Sequence, residues 1–244
     1  MATEIVEQKK TFTVALTEKL DVVQEALPKD FNKTRFVQNA LALVNENTNL
    51  QKYSQEMIMR GLLKGAYLGL DFYSKEAYLI PYGNQLNYQT SYLGAKKLAK
   101  KYSIRPIKEI DAKIVREDDY FEEKVIGGKS SFEFRPKPFN KGKVVGAFAY
   151  VIYEDGGIVV DTMNIDELET TRKHSKASNS MAWKDFTTEM YRKTVLRRLC
   201  KYIELDFENV SQVDEFMDDV VDTPKEEVPD VFDVECEVVE DVVE

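Results

Sequence analysis

An α+β fold is predicted by three features of the chain. Helical periodicity fills the first seventy residues, extended alternation with turn dipeptides fills the middle, and helical periodicity returns after residue 164. Strands and helices are segregated along the chain. The regular strand–helix alternation of a doubly wound sheet is absent, which argues against a dinucleotide-binding fold.

The elements follow in order. Residues 4–26 form an amphipathic helix in which Leu16, Leu20, Val23 and Leu27 recur near helical spacing, and Pro28 interrupts it. Residues 33–44 give a second helix with Phe36, Ala40, Leu43 and Val44 on one side. Ser54 is placed to cap a third, running to about Gly69. Residues 76–82 are β-prone, Gly83-Asn84 is a turn dipeptide, and residues 85–89 resume the alternation. A short helix spans about Ser91 to Tyr102. Residues 104–116 predict a long strand carrying Ile104, Ile107, Ile110 and Ile114. Asp118-Asp119 and Gly127-Gly128 mark two further turns. Residues 144–153 are apolar enough for a central strand, and Asp155-Gly156-Gly157 turns the chain back into residues 158–163. Asn164 caps a helix whose first turns hold Asp166, Glu167 and Glu169, a favourable arrangement for the helix dipole. Residues 181–203 predict one last long helix.

The charge is divided unevenly. Residues 204–244 hold 17 Asp and Glu against one Lys, whereas residues 1–203 hold 33 Lys and Arg against 26 Asp and Glu. A basic body with an acidic tail suggests a polyanionic partner. The expected organisation is a domain over residues 1–209, with helices 1–70 serving subunit assembly, and a largely disordered tail over 210–244. That tail could compete with a polyanion for the basic surface or dock a partner, and a cut at Val210 would release it. No apolar run is long enough to span a membrane. Met1-Ala2-Thr3-Glu4 does not resemble the start of a secretion signal. With only Cys200 and Cys236, far apart, the sequence points to a reducing cytoplasm.

Most enzyme signatures fail. Gly127-Gly128-Lys129-Ser130 resembles the end of a P-loop, but position 123 is Glu where the phosphate-cradling turn needs glycine. His174 is the only histidine, so His-rich zinc sites are excluded. Asp118, Asp119, Glu122 and Glu123 could bind Mg²⁺ as a nuclease would, or form a solvated hairpin tip. No serine or cysteine sits in a nucleophile elbow. The nuclease and a non-catalytic structural protein stay open as alternatives.

Three basic clusters remain. Lys96, Lys97, Lys100, Lys101 and Arg105 include two i,i+4 pairs of like charge, which a bound phosphate would relieve. Arg172, Lys173, His174 and Lys176 lead into Ser178, Asn179 and Ser180, a polar loop able to wrap a phosphate backbone. Arg192, Lys193, Arg197, Arg198 and Lys201 lie on the last helix, where Lys193, Arg197 and Lys201 step by four, apart from the apolar stripe of Leu196, Leu199 and Ile203. Each cluster is either a solvated face or a phosphate track. Asn84, Gln85, Asn87, Tyr88, Gln89 and Tyr92 supply amides and phenols that can hold sugars and stack on bases without reading sequence.

In residues 77–84, Ala-Tyr-Leu-Ile-Pro-Tyr-Gly-Asn, the chain resembles the signature of the RecT family of phage and prophage single-strand annealing proteins. Gln89, Tyr92 and Gly94 fit a Gln-x-x-Tyr-basic-Gly stretch, with Leu93 in place of the basic residue. Ser175-Lys176-Ala177, Trp183, Glu189-Met190, Lys193-Thr194 and Arg197-Arg198-Leu199 fit its late helical region. Pro28, Phe31, Arg35-Phe36, Ala40 and Leu68-Gly69-Leu70 match upstream. The resemblance implies a recombination protein that anneals DNA strands without hydrolysing nucleotide and has a β-β-β-α annealing core. It implies no cofactor, with Mg²⁺ only as a DNA counterion. The implied partners are single-stranded DNA, the annealed duplex intermediate, further copies in a ring or helical filament, a 5′→3′ exonuclease and the host single-strand-binding protein. The basic clusters themselves give the expected backbone clamp, Lys96, Lys97, Lys100, Lys101, Arg105, Arg172, Lys173, Lys176, Lys193, Arg197 and Arg198, with Asn84, Gln85, Asn87, Tyr88, Gln89 and Tyr92 as a second tier.

Overall fold

A computed structural model of the chain describes residues 2–175, 178, 181–213 and 216. Two apolar cores organise it. The first gathers α1 (Ala2–Val22), α2 (Lys33–Glu46) and α3 (Gln55–Tyr67) against the hairpin of β1 (Ala77–Tyr82) and β2 (Gln85–Thr90). Leu16, Leu20 and Leu62 are fully buried there. Local signals start the helices. The Asn32 side chain accepts the Arg35 N–H and the Ser54 side chain accepts the Met57 N–H, each satisfying a donor that the helix leaves unpaired. Gly83 turns the hairpin at φ 60°, a left-handed conformation that glycine adopts without steric cost.

The second core is a three-stranded antiparallel sheet in the order β3–β6–β7, from β3 (Ile107–Arg116), β6 (Val144–Tyr153) and β7 (Ile158–Asn164). The middle strand is almost continuously apolar because both its faces are covered. Ala147, Ala149 and Val151 face α7 (Thr187–Cys200), where Val195, Leu196 and Leu199 are fully buried. On the opposite face Phe148 and Tyr150 meet Phe121, Phe132 and Phe134 of a separate hairpin, β4 (Tyr120–Ile126) with β5 (Lys129–Arg135). The sheet is thus sandwiched between helix and hairpin, an α+β arrangement.

The helix α4 (Tyr92–Tyr102) joins the two cores. Leu98 and Tyr102 enter the first, while Ala95 and Ala99 enter the second. Gly94 sits where this helix crosses the chain entering β1. A Cβ added there would lie 2.1 Å from the Glu76 carbonyl oxygen, so only glycine fits the crossing.

Three details depart from the sequence reading. Arg172, Lys173 and His174 are the last turn of α5 (Ile165–His174) instead of a loop. The last helix is broken at Phe186, separating a short α6 (Met181–Asp185) from α7. The packed chain also continues past residue 209. Phe207 lies on Tyr102 with ring centroids 4.8 Å apart, Phe216 lies on Phe207 at 5.2 Å, and Gln212 is fully buried. Asn209 donates its side-chain N–H to the Ala26 carbonyl at 3.0 Å. A cut at Val210 would therefore remove core contacts along with charge, whereas a chain ending at Phe216 isolates the charge. Most of the expected acidic tail lies outside the described residues.

Candidate nucleic-acid interface

A groove of about 530 Å³ opens between the end of β3, the segment following β5, and the first turns of α7. Ile114, Phe134 and Pro136 give it apolar surface, and Lys113, Arg116, Lys137 and Arg192 line it with positive charge. Asp119 and Glu189 are its acidic lining residues. Both carboxylates have internal work. Glu189 pairs with Arg192 at 3.2 Å. Asp119 accepts the Arg116 N–H at 2.8 Å, the Lys137 N–H at 2.9 Å and the Asn140 amide at 2.8 Å. Burial pushes its carboxyl upward, but the hydrogen bonds led by Asn140 outweigh this, so it titrates below the ordinary Asp value. Asp119 is thus the latch that holds the segment after β5 against the end of β3.

Beside the groove, Asp111 gathers three cations and a phenol. It accepts from Lys113 at 2.7 Å and Lys96 at 3.2 Å, and from the Tyr92 hydroxyl, while Arg192 lies 3.8 Å away. Arg192 also donates its Nε to the Ala112 carbonyl at 2.9 Å and stands over the Tyr92 ring at 5.5 Å, with Lys96 over the same ring at 5.3 Å. Burial would raise the Asp111 carboxyl, but hydrogen bonds from Lys113, Tyr92 and Lys96 hold it well below the carboxylate range. Burial and the bond to Asp111 push the Tyr92 phenol up to about 12. One carboxylate positions three cations without neutralising them. The patch keeps net positive charge with its side chains already oriented, which lowers the ordering cost of meeting a polyanion.

The predicted clamp residues separate into two groups. Lys96 and Tyr92 are at the Asp111 cluster. Lys193 and Arg197 continue along α7 past Arg192, partly exposed. Lys100 and Lys173 are exposed. Lys97, Lys101, Arg105, Arg198 and Arg172 tie parts of the fold together. Lys97 bonds Glu76 at 2.7 Å and the Gly69 carbonyl at 3.0 Å, tying α4 to the first core. Lys101 pairs with Asp30. Arg105 makes a two-pronged pair with Asp155 at 2.8 and 2.9 Å and lies over the Tyr153 ring at 4.0 Å. Arg198 makes a two-pronged pair with Asp161, donating from Nε and Nη2 at 2.7 Å each. Arg172 stands over the Trp183 ring at 5.6 Å, near Glu169 at 3.5 Å. Lys176 lies outside the described residues.

On the β1–β2 hairpin Asn84, Gln85 and Asn87 are exposed, and Gln85, Asn87 and Gln89 share one face by strand alternation. Tyr88 points the other way. It packs edge-on against Phe72 at 6.1 Å and shares a hydrogen bond with Thr90 at 2.9 Å. Sequence reasoning missed Lys113, Arg116 and Lys137 and gave Arg192 no special weight, because three separated segments bring them together. One signal was present: residues 135–143 carry four Lys and Arg among two prolines and an asparagine.

The acidic residues 118–123 do not converge. Asp118 pairs with Lys137 at 3.0 Å, Glu122 with Lys124 at 2.8 Å, and Glu122 and Glu123 alternate across the strand. Among the described residues, no three His, Cys, Asp or Glu side chains could hold a metal ion together. Burial pushes the Cys200 thiol up to about 12, which leaves it without thiolate at neutral pH. No described helix is long and apolar enough to cross a membrane.

The model of the RecT family matches residues 34–229, from α2 through the groove and beyond α7. The chain belongs to the RecT family. Protein RecT of Escherichia coli (strain K12) is 29% identical over 201 residues, covering 75% of this chain and 71% of that relative. RecT proteins are strand-annealing proteins of DNA recombination. The matched span contains the groove, the Asp111 cluster and the Gly94 crossing.

Proposed function

We propose that this RecT protein binds single-stranded DNA along the groove and its α7 extension and anneals it to a complementary strand without hydrolysing nucleotide. The observation that carries this reading is the groove itself, with four cations along apolar surface and a preset cationic cluster beside it. Cations spaced along a channel hold phosphates whatever the base sequence. Apolar surface between them accepts sugars or base faces, which every nucleotide has. Sequence is then read by base pairing alone, and pairing supplies the free energy of annealing. The protein's part is to screen repulsion between two phosphate backbones and to keep one strand extended.

Several copies coat the strand as a ring or helical filament, in the cytoplasm of a bacterial host. A 5′→3′ exonuclease that exposes the strand and the host single-strand-binding protein are the expected partners. The family resemblance supports these points, together with the three-helix unit that stands apart from the groove.

The salt dependence of binding tests the electrostatic part. Lys193→Ala with Arg197→Ala should weaken binding to every sequence alike and reduce the slope of log affinity against log salt by about two. Fluorescence anisotropy of a labelled oligonucleotide across a salt series measures it. An unchanged slope would remove the later turns of α7 from the interface.

A further inference from the structure

The segment after β5 carries an aromatic ring that the free protein does not use. Phe139 is 98% exposed and holds a backbone φ of 55°. A bulky side chain in the left-handed region is strained, and a fully exposed phenyl ring gains nothing from burial. Glycine or asparagine would satisfy this turn at lower cost. The turn is also well braced. Pro136 and Pro138 fix its entry, the Asn140 N–H donates to the Lys137 carbonyl at 3.2 Å, and the Asn140 amide donates to the Glu117 carbonyl at 2.6 Å. Gly142 returns an N–H to the Asn140 side chain at 2.8 Å. The ring is therefore held out on a rigid support. Its chain neighbours Lys137 and Asn140 both line the cationic groove.

We propose that Phe139 is a base-stacking residue, whose ring packs on the face of an unpaired base of the strand held in the groove. The proposal rests on the groove being the single-strand site. Every base offers a π-face, so one aromatic on the turn that carries Lys137 and Asn140 would contribute affinity without reading sequence. Such a ring would also interrupt stacking between successive bases, which presents them for pairing.

The test compares two labelled oligonucleotides of equal length, oligo-dT and an abasic strand with the same phosphates, by anisotropy. Phe139→Ala should bind oligo-dT about tenfold more weakly and the abasic strand as wild type does, with the salt slope unchanged. Phe139→Trp should keep wild-type affinity for oligo-dT and show indole quenching with oligo-dT that the abasic strand does not produce. Equal binding of oligo-dT by wild type and Phe139→Ala would overturn the proposal. An equal loss on both strands would overturn it too and assign Phe139 to contact between copies. If the wild type binds neither strand, the groove reading itself fails, an outcome distinct from a stacking failure.

Discussion

Lys113→Gln combined with Lys137→Glu weakens single-strand binding on the order of a hundredfold at moderate salt, because two phosphate contacts are lost from the groove walls and one becomes repulsive. The side chains of these two lysines are 42% and 58% exposed, so the change falls mainly on the surface offered to DNA. Glutamine at 113 keeps a hydrogen-bond donor for Asp111, which avoids leaving that half-buried carboxylate with one partner fewer. Glutamate at 137 faces the exposed Asp118, where like charges are separated by solvent and cost little stability. The loss should be the same for oligonucleotides of any sequence and should shrink as salt rises, since the wild type loses the same contacts to counterions. Anisotropy titrations, with circular dichroism melts to check the fold, measure both. Wild-type affinity in a folded double variant would show that the strand runs elsewhere.

Gly94→Ala should destabilise the fold by about 2 kcal/mol, in the range of overpacking substitutions. The added Cβ would stand 2.1 Å from the Glu76 carbonyl oxygen, and that oxygen already accepts the Ser91 N–H at 2.9 Å. Backbone lies on both sides of the contact, so no flexible side chain can swing away. For a domain of this size a loss of that order lowers the melting midpoint by roughly 4–8 °C. The first turn of α4 must shift, and with it Tyr92 and Lys96 leave their places on Asp111. DNA affinity should therefore fall along with stability, although Gly94 touches no proposed DNA contact. A midpoint unchanged within error would contradict the close crossing.

Local chemistry made much of this fold legible. The caps Ser54, Ser91 and Asn164 each accept the N–H three residues on, as short polar side chains before an apolar period do. Gly83-Asn84 and Asp155-Gly156-Gly157 close hairpins, and the continuous apolar run of β6 marks a strand covered on both faces. What stayed hidden depends on residues distant in sequence. Arg198 looked like one more cation of a surface stripe, yet its partner Asp161 is 37 residues away, and the pair ties α7 to β7. The groove draws its cations from β3, the segment after β5, and α7, none of which holds a complete motif. The break at Phe186 has no glycine or proline to announce it. Beyond residue 204 the acidic composition hid two anchors, Phe207 and Phe216, whose rings close the first core.

Complementary oligonucleotides carrying a fluorophore and a quencher, mixed in the presence of the protein, report whether the proposed groove anneals DNA. The reaction is run without ATP over a salt series, with a non-complementary pair as control. Quenching should be rapid, require complementarity, fade as salt rises, and be lost in the Lys113→Gln, Lys137→Glu variant. Folded protein that leaves the rate of annealing unchanged, or that gives the same rate with the groove variant, would contradict annealing through the groove.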